Sequence, residues 1–202
     1  MLRTCIALIL FLVTSAFQPA PVNILFLGDS LTAGYGLTTE DAFPAVAGRI
    51  LRQKGKQVNV INAGISGDTS AGGLARMDWV LRQPVDILFL ELGANDGLRG
   101  LPVASTEKNL QAIIDKVRAK NKKVKIVLAG MLVPPNMGKD YAQQFEQVFI
   151  RLAARNGCER IPFLLEGVGG DPKLNQADGI HPTVEGHRIV GTRVAGVLQK
   201  ML

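Results

Sequence analysis

Asp178-Gly179-Ile180-His181 sets a carboxylate three residues ahead of one of only two histidines in the chain, and Gly28-Asp29-Ser30-Leu31 places a serine directly after an apolar run. A serine hydroxyl is a weak nucleophile at neutral pH and needs an imidazole within hydrogen-bond reach to take its proton. That imidazole needs an acceptor on its other ring nitrogen, which fixes the tautomer and stabilises the imidazolium formed during attack. An Asp three residues before a His lies about one turn away, close enough to fold back onto Nδ1. Ser30, His181 and Asp178 are thus the residue types for acyl transfer through a covalent acyl-serine, and only His181 and His187 are available as the base.

Such a reaction passes through a tetrahedral oxyanion, which fixed hydrogen-bond donors must meet where its charge develops. Three donors stand in polar segments that follow apolar runs: the backbone N–H of Ser30, the backbone N–H of Gly67 and the side-chain amide of Asn95. Glycine at 67 lets the backbone approach a substrate with no Cβ in the way.

Each assignment has a plainer rival. Ser30 could be a helix N-cap or turn residue. Ser66 is a competing nucleophile, but Gly64-Ile65-Ser66-Gly67 does not fit the G-x-S-x-G elbow, and it is read as structural. Asp68 and Thr69 are read as the start of a helix that contains Leu74 and Met77. Asp29 and Asp96 are read as braces for the loops holding Ser30 and Asn95. His187, after Glu185-Gly186, is read as a solvated residue on the last helix.

The elements that must position these residues show in the hydrophobic pattern. Five apolar runs, Val22 to Leu27, Val58 to Ile61, Ile87 to Leu92, Val124 to Leu128 and Ile161 to Leu165, have the continuous character of parallel strands covered on both faces. Between them the period becomes helical: Leu110, Ile113, Ile114, Val117, then Phe145, Val148, Phe149, Leu152, and at the end Val190, Val194, Val197 and Met201. Strand and helix in alternation predict an α/β fold, doubly wound in three layers. In such sheets ligands bind beyond the carboxyl ends of the strands, where Gly28-Asp29-Ser30, Asn62 to Thr69 and Gly93 to Asp96 would meet.

Four blocks in order, Gly28 to Gly36, Asn62 to Thr69, Gly93 to Gly97 and Asp178 to Pro182, resemble the sequence blocks of the SGNH hydrolases, also called the GDSL esterase family. Ile65 to Thr69 and Gly97-Leu98-Arg99-Gly100 are most like the periplasmic acyl-CoA thioesterase, lysophospholipase and arylesterase group. The resemblance implies a flavodoxin-like three-layer α/β/α fold around a central, mostly parallel five-stranded sheet. It implies Ser30 as nucleophile, His181 as base, Asp178 as its partner, and Ser30, Gly67 and Asn95 as oxyanion hole. Aryl esters, acyl-CoA thioesters and lysophospholipids are the implied substrates. A candidate acyl pocket is the loop Met131 to Met137, notably Met131, Leu132 and Pro134, with Gly97 and Leu98; the loop could equally be a strand-to-helix connection stiffened by two prolines. A carbohydrate O-acetylesterase and a non-catalytic lipid carrier are the rival functions.

Bulk properties narrow the class further. The 202 residues fit one domain, with residues 21–202 read as a single hydrolase domain behind a signal peptide at 1–20. Arg3, the apolar run Ile6 to Val13 and the small residues Thr14-Ser15-Ala16 make that segment a leader for export, and by implication to the periplasm. The run is well short of the roughly 20 residues that span a bilayer, so no stable membrane anchor is read. The net charge is +6. The densest basic run, Lys116 to Lys125, sits where a helix ends and a strand begins, and lacks interleaved aromatics, so no nucleic-acid partner is read. Gly28, Gly34 and Gly36 do not make a dinucleotide fingerprint, no phosphate loop is present, and two histidines with two cysteines in unrelated positions make no zinc pattern. No cofactor and no metal are implied. Removal of the leader would leave Cys158 without a disulfide partner.

The reading commits to one nucleophile. A fluorophosphonate probe should add a single label to the wild-type protein and none to Ser30→Ala, as read by mass spectrometry. Labelling that persists in Ser30→Ala and vanishes in Ser66→Ala would reverse the assignment.

Overall fold

The computed structural model describes residues 20–202. The signal segment read at 1–20 falls, except for Ala20, outside the described residues. Five strands, β1 (Val22–Gly28), β2 (Val58–Gly64), β3 (Ile87–Glu91), β4 (Lys125–Ala129) and β5 (Glu159–Ile161), form a wholly parallel sheet in the order β2-β1-β3-β4-β5. Among the described residues eight α-helices connect and cover them: α1 (Ser30–Ala33), α2 (Phe43–Gln53), α3 (Ser70–Ala75), α4 (Met77–Val80), α5 (Ala94–Leu98), α6 (Val103–Lys120), α7 (Lys139–Asn156) and α8 (Val184–Gln199). The helices flank the sheet in a three-layer α/β/α arrangement, α8 packing on α2 while α6 packs on α3 and α7.

The apolar runs become strands because both faces of the central ones are covered: every residue of β3 is buried, and so are the last five of β1. The helical positions read from periodicity meet the sheet, with Leu110, Ile113, Ile114, Val117, Phe145, Val148, Phe149 and Leu152 all buried. Burying a side chain of this size contributes about 1.5 to 3 kcal/mol, so these two helices are held chiefly by their inner faces. The basic run after α6 lies at its last turn and the turn into β4, as read.

Four local readings need correction. The fifth strand, expected over Ile161 to Leu165, ends at Ile161, whose O accepts Gly130 N at 2.8 Å; the next ladder donor would be Phe163 N, but an extra residue breaks the alternation. After it the chain turns away, with Leu164 N donating to Gly130 O at 3.0 Å. The helix expected to run from Asp68 through Met77 is two helices broken at Arg76, and Met201 lies beyond the end of α8.

The fourth correction is His187, which is 1% exposed and not solvated. Its Nδ1 accepts the backbone N–H of Phe43 at 3.1 Å, and its ring stacks on Phe43. Phe43 opens α2, whose N-cap Ala42 has no side chain able to bond the free N–H groups. An imidazole on the neighbouring helix does this work instead. Burial, helped by nearby His181 and opposed by Asp41, pushes the His187 imidazole down to about 4.

An imidazole depressed when folded binds its proton more readily in the unfolded chain, so its contribution to stability is present above the unfolded value, near 6.5, and is lost as pH falls toward about 4. The loss should approach the order of 3 kcal/mol. His187→Gln keeps an acceptor for Phe43 N without the titration. The difference in urea-unfolding free energy between wild type and His187→Gln should therefore shift against the wild type between pH 6.5 and 4; a difference independent of pH would refute the assignment.

Candidate active site

The sheet order reverses direction between β1 and β3, and the crevice outside the carboxyl ends of these strands is where such folds bind ligands. Register aligns the ends: Gly28 lies opposite Gly64 on one side and Glu91 on the other. The three segments leaving them are therefore level. Ser30 enters α1 from β1, Gly67 follows β2, and Asn95 lies in α5 after β3.

The turn into Ser30 is enclosed on every side. Asp29 caps α1 with Oδ1, accepting Leu31 N at 3.0 Å. Glu91, fully buried, accepts Asp29 N at 3.2 Å and the Thr32 hydroxyl at 2.7 Å through Oε2. A Cβ at Gly28 would lie 2.0 Å from Thr32 Oγ1 and 2.4 Å from Glu91 Oε2, so only glycine fits between them. Asn62 adds a bond from Nδ2 to Thr32 O at 2.8 Å. Burial raises the Asp29 carboxyl to about 6. It pushes Glu91 well above the usual carboxylate range, with the neighbouring Asp29 charge adding to the effect.

Gly67 has φ +84° and stands third in the turn Ile65 to Asp68, which is closed by Asp68 N donating to Ile65 O at 3.1 Å. That position requires glycine, or a residue tolerant of the left-handed region. Thr69 caps α3, accepting Gly72 N at 3.2 Å, but Asp68 does not cap: its carboxylate pairs with Arg76 Nε at 2.7 Å. Asn95 Nδ2 donates to Asp68 O at 3.0 Å and to Asp29 Oδ2 at 3.2 Å, which ties the amide to the residues adjoining Gly67 and Ser30. Asp96 anchors this segment, accepting Ser70 N at 2.7 Å and Ser70 Oγ at 2.5 Å.

From the other end of the chain His181 brings Nε2 to 2.9 Å from Ser30 Oγ, across 151 positions. Its Nδ1 lies 2.7 Å from Asp178 Oδ2. Asp178 Oδ1 also accepts the backbone N–H groups of Ile180 and His181 at 2.9 and 3.0 Å. The His181 N–H, the imidazole bond and the Ile180 N–H, in that order, hold the Asp178 carboxyl down at about 2. It therefore stays ionised wherever an imidazole is neutral, and with Nδ1–H directed at Asp178, Nε2 offers its lone pair to the serine. Gln176 latches this loop: its N–H donates to His181 O at 2.7 Å and its Nε2 to Tyr35 O at 2.7 Å, while the Tyr35 ring lies 4.5 Å from the imidazole.

Beside Ser30 opens a mainly apolar cavity of about 520 Å³. Leu98, Met131, Leu132 and Pro134 line it, as do Ser30, Asn95 and His181. Gly97 does not reach it, being buried where a Cβ would meet Val133 Cγ1 at 2.4 Å. The sequence reading missed Phe163, Leu165, Gly169, Gly170 and Ile180 on the cavity wall. Phe163 and Leu165 were absorbed into an overlong strand; Pro162 inside the run was the signal against that length. Glu91 was hidden as the one charged residue of its apolar run, Ile87 to Leu92.

A serine hydroxyl, an imidazole and a carboxylate in hydrogen-bonded sequence at the rim of a parallel α/β/α sheet are the arrangement expected of a serine hydrolase of acyl compounds. The chain belongs to the GDSL-like lipase/acylhydrolase family, whose model it matches over residues 26–189, and it is a carboxylic ester hydrolase of the SGNH type. It is 42% identical to the esterase TesA of Pseudomonas aeruginosa over 91% of this chain and 89% of the relative. With the thioesterase 1/protease 1/lysophospholipase L1 of Escherichia coli K12 it shares 38% identity over 96% of this chain and 91% of the relative. A crystal structure of TesA superposes with a TM-score of 0.84 at 40% identity, covering 89% of this chain and 99% of that one.

Proposed function

We propose that residues 21–202 form a single catalytic domain that cleaves acyl esters and thioesters through an acyl-Ser30 intermediate, and that residues 1–20 direct its export. The observation that carries this reading is the unbroken chain from Asp178 through His181 to Ser30 Oγ, at 2.7 and 2.9 Å, beside an apolar cavity. Ser30 Oγ attacks the acyl carbon while its proton passes to His181 Nε2. The carbonyl oxygen becomes an oxyanion, facing the N–H groups of Ser30 and Gly67 and the Asn95 amide. Collapse expels the alkoxide or thiolate, which takes the proton from Nε2. Water, deprotonated by the same nitrogen, then attacks the acyl-serine; the carboxylic acid leaves and Ser30 Oγ recovers its proton. Asp178 keeps Nδ1 protonated and stabilises the imidazolium in both halves.

The cavity favours an acyl chain longer than acetyl, which sets this reading above the O-acetylesterase. Hydrolysis by the family sets it above the lipid carrier. Thioesters and lysophospholipids, which the name of the Escherichia coli relative includes, are proposed beside aryl and alkyl esters. Export rests on the basic, apolar and small-residue order of the leader. Among the described residues no helix is long and apolar enough to cross a membrane.

Only an interaction that strengthens in the transition state accelerates the chemical step. Asn95→Ala should lower kcat by roughly 10² to 10³ with KM nearly unchanged, when acylation limits turnover. A folded Asn95→Ala variant with wild-type kcat would remove Asn95 from the hole.

Leu132 tests the acyl side. Each buried methylene contributes about 0.8 kcal/mol, so Leu132→Ala should reduce kcat/KM for p-nitrophenyl octanoate more than for the acetate. Equal losses on both esters would take this loop out of the acyl site.

A further inference from the structure

The donors assigned to the oxyanion come from three loops on three different strands, and their relative placement is not set by the sheet alone. Side chains bridge these loops: Asn95 itself, Arg99, whose Nη2 donates to Gly67 O at 2.9 Å, and Arg76, the one among them that ties the Gly67 turn to the end of β1. Arg76 stands at the break between α3 and α4 with its side chain mostly buried, 14% exposed. Its Nε donates to Asp68 Oδ2 at 2.7 Å, and its Nη2 donates to Gly28 O at 3.0 Å. Gly28 is the last residue of β1 before Asp29 and Ser30, and its carbonyl also accepts Ile65 N at 3.1 Å, where the Gly67 turn begins. Asp68 directly follows Gly67, and its own carbonyl accepts Asn95 Nδ2 at 3.0 Å.

A single guanidinium therefore spans the nucleophile turn and the Gly67 turn, and through the Asp68 backbone it reaches Asn95. The hydrogens of Asn95 show why that last link matters. The amide nitrogen has two: one directed to Asp68 O at 3.0 Å, the other to Asp29 Oδ2 at 3.2 Å. An arriving oxyanion must share or take one of them, and the longer contact to Asp29 is the one to yield. The bond to Asp68 O then holds the plane of the amide, and Asp68 is held by Arg76. A guanidinium offers several donors in a fixed planar fork, which a lysine ammonium cannot reproduce. Withdrawing this charge from water carries a desolvation cost that its two hydrogen-bonded partners must offset, so a solvated helix-surface residue would be the simpler use of the position.

We propose that Arg76 is a positioning residue for the oxyanion hole, a strut that sets the Gly67 and Asn95 donors against Ser30. The proposal rests on the hole assigned under the function above, and it makes no contact between Arg76 and substrate.

The test is a double-mutant cycle on kcat and KM with p-nitrophenyl butyrate, each variant checked by thermal unfolding. Arg76→Ala should lower kcat about tenfold to a hundredfold with little change in KM, less than the roughly 10² to 10³ that follows loss of a whole donor. Arg76→Lys should lower kcat as well, since one ammonium does not serve both acceptors in the same plane. In an Asn95→Ala background, Arg76→Ala should cost much less than in the wild type, because residues acting through one group are not additive. Millimolar guanidinium ion should restore part of kcat to Arg76→Ala and none to the Arg76→Ala/Asn95→Ala double variant. If Arg76→Ala does not fold, Arg76→Lys completes the same cycle. An equal fold-loss from the Arg76 substitution in both backgrounds, or a rise in KM at constant kcat, would overturn the strut while leaving the hole in place. An Asn95→Ala variant with wild-type kcat would instead overturn the hole on which the strut acts.

Discussion

The active site depends on the parallel pairing of β1 with both of its neighbours, in a register that brings Gly28, Gly64 and Glu91 level. A parallel ladder has an evenly spaced bonding pattern, so once the apolar residues of β1 and β3 are buried, the heights at which their loops emerge are determined. Slippage by one residue would turn each strand's inward side chains to the opposite face. In β1 and β3, which are buried on both faces, it would also separate Ser30 from the Asn95 segment. The catalytic rim is thus a by-product of core burial.

What the sheet leaves undetermined is settled by buried carboxyl groups. Asp29, Glu91 and Asp96 are all buried at the strand ends. An ionised carboxylate taken from water without partners costs several kcal/mol even after relaxation. Here the offset comes from backbone N–H groups and hydroxyls: Leu31, Asp29 and Ser70 amides, and the Thr32, Ser70 and Thr106 hydroxyls. The balance is incomplete at Glu91, whose Oε1 has no hydrogen-bond partner among the described residues, and its carboxyl sits well above the usual range in consequence of burial. The three donors proposed for an oxyanion thus stand beside buried carboxyl groups, of which burial raises Asp29 and Glu91.

The layer order and most of the helical faces were legible in the sequence because burial imposes a period, and period survives without any knowledge of contacts. Leu110 to Val117 and Phe145 to Leu152 are the clearest instances. The Ser30, His181 and Asp178 arrangement was legible for another reason: few residue types can do this chemistry, and the chain has two histidines. What escaped was non-local and polar. His187 looked like a surface residue because its partner, the uncapped start of α2 at Phe43, lies 144 positions away. Asp68 carries a residue type that caps helices, yet its carboxylate turns to Arg76 while Thr69 takes the cap. Gly97 seemed free to face a substrate, but Val133 and Phe145 already occupy the space beside it.

The two halves of the Asp178–His181–Ser30 chain are held by different physics. Asp178 and His181 are three residues apart, and the Asp178 carboxylate bonds both the imidazole and two backbone N–H groups of the same turn. This unit is local and closes little loop entropy when it forms. Ser30 lies 151 positions away and is fixed by the sheet, with one hydrogen bond of 2.9 Å joining it to the imidazole. The junction therefore has to be set by whatever positions the Asp178–His181 turn as a body: the Gln176 bonds to His181 O, Pro182 O and Tyr35 O, and the Asn175–Pro182 bridge. Asn175 is buried, and its Nδ2 bonds Val168 O and Asp171 O. The His181 imidazole is thus carried on an exposed turn but referred back to the interior through the segment that also supplies Gly169 and Gly170 to the cavity wall. The cavity wall and the placement of the imidazole thus rest on that one segment.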